Sequence, residues 1–557
     1  MSFCRNTSQQ ISIFDSLNNL TKREQKMLKD TWAEKFSNEI FPLINEERFS
    51  VLYSNKHASR PNNPANVNIG LLMLKEIFTQ SDEECIHSLM FDLRYQHALR
   101  TTSFEEQPIS KNSLSNFRAA IYKYNEEHGV DLIQEEVESH AKEFAKVLNI
   151  DGRNMRMDSL MISTSAKKLS RLEIIYSCVS RLVHEINKCA ERILPDKFNP
   201  YLEDGHRNDT IYRCKDKDIE SKLNAVVADA LELYYISRGT AIEETEDFNI
   251  LTRMLGEQTK QTDGNIELKP SKEISPTSLQ NPTDSDATYR NKSGKDYIGY
   301  VGNILESFDD KNKLIMQYDL QKNTYSDQQF SKDTIEKLGL QDMETNVIVD
   351  GAYYSENISK QASENKLNFI PTNLVGRNQN SDKSGYDKFG IDENTHEVTN
   401  CPRGHKPADC KFKKGVYRAH FNPQHCDNCP HRTNCPVTKQ KKNYLLEVSE
   451  TKLHRERLIT RMGTEEYKEI ASKRAGVEGI PSVLRRRYGI DHLPVRGKVR
   501  SKVWLGFKIS AINCKRLIKG LINGGKDSLI GHVRNHLLEV FCFQRTFVAK
   551  IVTFPKI

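Results

Sequence analysis

Two hydrophobic rhythms divide the chain. From about residue 20 to 145 the apolar positions recur at helical spacing, as in "IGLLMLKEIF" and "EECIHSLMFDLRYQHAL". Between these runs, "TQSDEE" offers Ser81 as an N-cap with Glu84 three residues on, the pattern of a capping box. Helical spacing returns from about 168 to 255, in "RLEIIYSCVSRLVHEINKCAERIL" and "LNAVVADALELYYISRG". A polar segment containing Pro and Ser follows at about 256–285 and reads as a linker or exposed loop. After it the rhythm becomes that of strands: "DYIGYVGNILES", "KLIMQYDLQ", "NVIVDG" and "KLNFIPTNL". One earlier strand, "NMRMDSLMISTS" at 154–165, stands apart from that set. The end of the chain, from about 451, reads as largely helical.

Composition narrows the class. At 557 residues the chain is too long for one ordinary core, and roughly three or four domains are expected. With 37% hydrophobic and 28% charged residues it is polar yet able to bury a core, and no run approaches the ~18 apolar residues of a membrane span. The start, "MSFCRNTSQQISIFDSL", lacks a basic stretch leading into an apolar run, so a cytoplasmic protein is expected. In that setting twelve cysteines point to metal or plain burial rather than disulfides. The net charge of +7 is unevenly spread: residues 451–557 hold 23 Lys and Arg against 8 Asp and Glu. Runs such as "LRRRYG" and "VRGKVRSKVW" are nearly single-sign, the footprint of a site for a polyanion, most often nucleic acid.

Three acids stand out in this frame. Asp350 ends a short apolar strand and is followed by Gly351, so it is either a turn residue or a carboxylate presented at a strand tip. Asp158 lies inside the earlier strand, 192 residues before Asp350. Strands that far apart in sequence can still be neighbours. Glu478 sits in "ASKRAGVEGIPSVLRRRYG"; read as a helix, Arg474, Glu478 and Arg485 share one face, with Pro481 marking a kink or a fresh start. Each acid alone has an ordinary explanation as a turn, a strand-edge charge or a surface residue. Together they can form a two-metal site, because carboxylates suit Mg²⁺ or Mn²⁺, and two such ions activate both the attacking and the leaving oxygen of a phosphodiester.

With those residues in view, the chain resembles the DDE transposases of bacterial insertion sequences. The stretches that carry the likeness run nearly end to end: "SRPNNPANVNIGLLMLKEIF", "NSLSNFRAAIYKY", "MDSLMISTSAKKLSRLE", "QNPTDSDATYRNKSGKDYIGYVGNILE", "VIVDGAYYSE", "CPRGHKP" and "RAGVEGIPSVLRRRYGIDHLPVRGKVRSKVW". The resemblance implies an α/β protein with an RNase H-like mixed sheet and flanking helices. It also implies an all-helical N-terminal domain and a small cysteine-bearing insert. It implies Asp158 on the first strand, Asp350 on a later strand and Glu478 on a helix as the catalytic, metal-holding acids. The family signature around the Glu is Tyr, two residues, Arg, three residues, Glu, six residues, Lys; here those positions are Ala471, Arg474, Glu478 and Arg485, so the aromatic member is missing.

The spacing of 128 residues between Asp350 and Glu478 leaves room for the insert. Cys401, Cys426, Cys429 and Cys435 there form C-x24-C-x2-C-x5-C, which predicts a tetrahedral structural Zn²⁺ stapling a compact, core-poor loop. Cys410, His405, His425 and His431 are possible substitutes, and reduced, unligated thiols are the alternative. Cys4, Cys85, Cys178, Cys189, Cys214, Cys514 and Cys542 read as core or surface residues.

The expected domains are a helical, DNA-recognising one over 1–148, a catalytic core over 149–400 with a helical insertion at about 166–255, the zinc insert over 401–440, and the rest of the core with the basic end over 441–557. Arg474, Arg485, Arg486, Arg496, Lys498 and Arg500 are the expected DNA contacts, and Lys292 or Lys295 approaching DNA is a further guess. The expected function is a transposase, nucleoid-associated in the bacterial cytoplasm. It would cut and join phosphodiesters at an element's ends with two Mg²⁺ or Mn²⁺, on double-stranded terminal repeats and target DNA, as a homodimer away from membranes. The alternatives are an inactive, zinc-stabilised DNA-binding relic, or a metal-dependent nuclease without strand transfer.

Overall fold

The computed structural model describes residues 1–6, 15–54, 61–104, 107–189, 194–213, 216–262, 265–292, 294–374 and 385–524. Cys214, Cys542 and the last part of the basic end lie outside them. The chain forms two compact units. One comprises 1–151, 159–325 and the residues from 480 on; the other comprises 152–158 and 326–479. The strands are β1 Asn154–Ser163, β2 Thr259–Thr262, β3 Asn265–Leu268, β4 Thr288–Lys292, β5 Lys295–Phe308, β6 Lys313–Lys322, β7 Thr345–Val349, β8 Leu367–Pro371, β9 Gly390–Asp392, β10 Glu397–Asn400, β11 Asp409–Lys413, β12 Val416–Phe421, β13 Thr438–Lys439 and β14 Tyr444–Ser449. Parallel and antiparallel pairs both occur, so the class is mixed α/β. Among the described residues no helix is long and apolar enough to cross a membrane.

In the first unit the expected N-terminal helices form, and Ser81 and Glu84 close the capping box. The Ala65–Phe78 helix is apolar on nearly every side and buried over almost its whole length. It packs with the long Lys498–Gly524 helix. Their one buried charge on each side, Glu76 and Lys508, is satisfied as an ion pair. A second core gathers the helices Arg171–Lys188, Ile219–Ser237 and Glu246–Gln258 around Val179, Leu182, Phe198, Leu251 and Met254. The segment read as a polar linker is more ordered than expected. It opens with the β2–β3 hairpin, Thr259 opposite Leu268. It closes on Asp284, which is almost fully buried and accepts hydrogen bonds from Thr164, Tyr300 and the Gly497 amide. Three such donors explain why a carboxylate is stable there. β4, β5 and β6 make an antiparallel meander, and the Thr164 amide just after β1 donates to Ile298 on β5 at 3.0 Å.

In the second unit the first half of β1 pairs in parallel with β7, and β7 with β8. Asparagines pin this register: Asn346 donates to Asn154 at 3.1 Å and Asn368 donates to Asn346 at 3.0 Å. The insert departs from the sequence expectation. In place of a core-poor loop it holds a four-stranded antiparallel sheet in the order β11-β12-β14-β13. Alternate residues Tyr417, Ala419 and Phe421 on β12 and Tyr444, Leu446 and Val448 on β14 are buried on one face. They share a core with Phe389, Val398 and Leu453, so the insert buries apolar surface without help from a metal.

Candidate active site

All three predicted acids fall in the second unit, and the parallel register accounts for two of them. β1 and β7 pair with Arg156 opposite Ile348. Two residues further along stand Asp158, within β1, and Asp350, just past the end of β7. Their spacing of 192 residues equals the register offset, and residues at equal register on parallel strands point to one face. Asp350 joins the turn through its backbone, its carbonyl accepting from the Tyr353 amide at 3.0 Å, and not through its carboxylate. It occupies the N-cap position of the 3-10 turn Gly351–Tyr353, yet its side chain makes no capping hydrogen bond. The side chain that holds the turn is Asn373, whose Oδ1 accepts from the Gly351 amide at 2.6 Å. The carboxylate stays half-exposed, with 40% of its side-chain surface accessible.

Glu478 arrives by a different device from the one expected. Residues 473–478 form a 3-10 turn rather than part of an α-helix, and the α-helix Gly479–Tyr488 begins directly after it. Gly476 and Gly479 weaken the α-helix here, and Pro481 falls in the first turn of the new helix, where it needs no amide partner. Pro481 thus marks a start, not a kink. The shared helical face of Arg474, Glu478 and Arg485 therefore does not exist as drawn from the sequence. Arg474 still reaches Glu478, and Arg485 pairs with Asp491 at 3.5 Å.

Arg474 gathers the site. Its Nη2 lies 2.9 Å from Asp158 Oδ1 and 3.9 Å from Asp350 Oδ2, and its Nη1 lies 3.8 Å from Glu478 Oε1. The three carboxylates thus surround one guanidinium, with Asp158 gripped closely and the other two more loosely. Such a cluster of hard oxygens is the donor chemistry that Mg²⁺ or Mn²⁺ takes. Among the described residues no three His, Cys, Asp or Glu side chains are already arranged to hold a metal ion.

Sequence reading missed the residue that holds the turn. Arg156, on β1 two places before Asp158, is 5% exposed and donates from Nη1 to the Lys473 carbonyl at 2.5 Å. Its guanidinium lies so close to Gly476 that a Cβ there would sit 2.1 Å from Nη1. Glycine is required at 476 for this approach rather than for a special φ. An arginine inside a strand otherwise rich in Met and Leu was the available signal. From the far side, the Tyr467 hydroxyl donates to the Pro371 carbonyl at the end of β8, at 2.8 Å, fixing the helix that leads into the turn.

The four predicted cysteines line one small cavity, of about 40 Å³, with His405, His425, His431 and Arg432. Cys426 ends the one-turn helix Pro423–Cys426, capped by Asn422, and the Cys429 amide donates to the Cys426 carbonyl at 3.3 Å. Burial first, then the neighbouring Cys435, Cys401 and Cys429, push the Cys426 thiol up to about 11. Burial raises Cys435 as well. Cys410 does not join them: its sulfur accepts from the Val398 amide at 3.3 Å. Cys85, Cys178 and Cys514 are buried, and Cys4 and Cys189 exposed.

The predicted DNA contacts other than Arg474 lie in the first unit. Arg485 and Arg486 are exposed on the Gly479–Tyr488 helix, and Arg496 is exposed just before the long helix. Lys498 is engaged by Gln321 at 3.0 Å, and Arg500 sits 5.6 Å from the Tyr122 ring centre. Lys295 lies 5.1 Å from the Tyr297 ring centre, and both it and Lys292 are exposed.

One arginine thus gathers three acids, one from within β1, one from just past the end of β7 and one from the 473–478 turn. Residues 400–518 match the family model described as a transposase DDE domain. That match takes in Cys401, Cys426, Cys429, Cys435, Arg474 and Glu478. No curated protein matches the chain. Among solved structures it is similar to the cryo-EM structure of the piggyBac transposase synaptic complex with hairpin DNA, at 9% identity and a TM-score of 0.27, covering 92% of this chain and 77% of that one. That likeness carries no argument here.

Proposed function

We propose that this chain cuts and joins DNA strands at the ends of a bacterial insertion sequence, with Asp158, Asp350 and Glu478 as its catalytic acids. The observation that carries the reading is the convergence of the three on Arg474, from segments 192 and 128 residues apart. The three carboxylates would hold two Mg²⁺ or Mn²⁺, which supply Lewis-acid activation of the attacking oxygen and stabilisation of the leaving one. The chain's own part is to present the carboxylates on one face and to orient the DNA phosphates. The first step breaks a phosphodiester at the element's end by attack of water and frees a 3′-OH. The second joins that 3′-OH to target phosphorus, releasing a 3′-OH from the target.

Arg474, Arg485, Arg486, Arg496, Lys498 and Arg500 would neutralise phosphates, which makes binding salt-dependent. The helical N-terminal region would recognise the terminal inverted repeats. A homodimer would hold two ends at once, in the bacterial cytoplasm at the nucleoid. In the insert, Cys401, Cys426, Cys429 and Cys435 would hold a structural Zn²⁺. Four thiols on one small cavity suit a closed tetrahedral site.

The experiment is incubation of a duplex ending in the element's own terminal repeat with Mg²⁺ or Mn²⁺, scored for nicking and for strand transfer. Nicking at the repeat that disappears in Asp350→Ala supports the reading. Binding without nicking in the wild type favours a DNA-binding relic, and nicking without joined product favours a nuclease.

A further inference from the structure

The same guanidinium cannot neutralise three carboxylates and leave them free for cations. Arg474 uses Asp158 Oδ1 at 2.9 Å, an oxygen that a bound divalent ion would also need. The residue is 15% exposed, Asp158 is 19% exposed, and Glu478, at 65%, is held only at 3.8 Å. Arg474 is not fully satisfied either: its Nε is buried without a hydrogen-bond partner. The grip is therefore firm on one acid, loose on two, and leaves a donor unspent. The side chain rides on the short 3-10 turn that Arg156 clamps through the Lys473 carbonyl. The backbone is fixed there while the guanidinium lies at the end of a flexible stem.

We propose that Arg474 is a positioning residue that stands in for the cations, holding the three acids together until a DNA phosphate draws it away. The inference rests on the two-metal reading above. The physical argument is competition. Three carboxylates brought to one place repel unless a positive charge sits among them. One guanidinium supplies +1, and a divalent ion arriving beside it meets both like-charge repulsion and occupied oxygens. A phosphodiester offers the guanidinium an equivalent planar, bidentate partner. DNA binding then frees the acids, so cation binding and DNA binding become linked through one side chain, each strengthening the other by the same factor. A transposase built this way holds its ions weakly until its substrate is in place.

The test measures Mn²⁺ affinity by titration calorimetry on the full chain, for wild type and Arg474→Gln, each alone and saturated with the terminal-repeat duplex. Without DNA, Arg474→Gln should bind Mn²⁺ about tenfold tighter than wild type. With DNA, the two should agree within about twofold, because in the wild type the arginine has left the acids. Equal affinities without DNA overturn the inference and leave the two-metal reading standing. A gap that persists with DNA also overturns it, since Arg474 is then a fixed electrostatic neighbour. Mn²⁺ binding absent from every sample brings down the two-metal reading, and the inference with it. Should Arg474→Gln fail to fold, Arg474→Lys serves. Its single ammonium cannot reach three acids at once, so Mn²⁺ affinity without DNA should rise above wild type, and no rise overturns the proposal.

Discussion

The acid cluster and the cysteine pocket answer one problem in opposite ways. Each brings together side chains that repel when charged. At the acids the charge is kept and a counter-charge is placed among them: Asp158, Asp350 and Glu478 all face Arg474. At the cysteines no counter-charge from the chain sits at the centre: burial and mutual proximity push the Cys426 and Cys435 thiols up, so charge there is costly until a cation shares it. Support differs too. The acids hang from three separate segments and depend on strand register and one clamped turn. The cysteines sit against a sheet with its own apolar core. A site of the first kind should lose function with little loss of fold. One of the second kind should lose some stability while its sheet persists.

The largest effect should come at the acids. Asp350→Ala should lower metal-dependent strand cleavage by about 10³-fold or more while DNA binding, read by gel shift, survives. Loss of binding along with cleavage would show that the acid cluster is structural after all, and the contrast would collapse. Next comes the pocket. Purified protein should carry about one zinc per chain by atomic absorption, and Cys429→Ser or a strong chelator should remove it. The cost should be about 3 kcal/mol, roughly 6–12 °C in Tm for a unit of this size, with the β-sheet circular dichroism retained. Zinc-free protein of unchanged Tm would reduce the pocket to a buried thiol cluster.

Smaller changes sharpen the contrast. Gly476→Ala forces a methyl against the Arg156 guanidinium and should cost about 2 kcal/mol, moving the 473–478 turn. Cleavage should fall in this variant while zinc content stays the same. Smallest is Asn346→Ala, which strands the Asn154 and Asn368 amides. About 1 kcal/mol in chemical denaturation is expected. A second, register-shifted population in cross-linking between 158 and 350 would show that the asparagines set the register as well as stabilise it.

What could be seen in the sequence follows from the range of each interaction. Strand and helix patterns, the Ser81 cap and the cysteine spacing are local, and they are visible as written. Asp158 and Asp350 were visible as acids on strands. That 192 residues is a register offset was not, because pairing between distant strands leaves no mark beyond Asn154, Asn346 and Asn368. Arg156 was hidden for the same reason: its partner carbonyl lies on Lys473, far along the chain. The 3-10 turn was legible in hindsight, since glycines at 476 and 479 bracket the Glu. The sheet of the insert was overlooked because its outer strand, "DCKFK", is short and charged, and the punctuation by Pro and Gly dominates its surroundings. Asp284 was quoted within a motif, but nothing local shows that three donors converge on it.

The asparagine ladder also bears on how such a chain can change its length. The contacts that align β1 with β7 are made by side chains on the strands themselves, so the alignment does not depend on what lies between them. Closing a longer loop costs only about 0.6 kcal/mol for each doubling of its length. The helical part of the connection, from Arg171 to Gln258, can therefore gain or shed length without shifting the alignment of β1 with β7. The register is thus a fixed address, set by the two strands and not by the length of the helical segment that joins them.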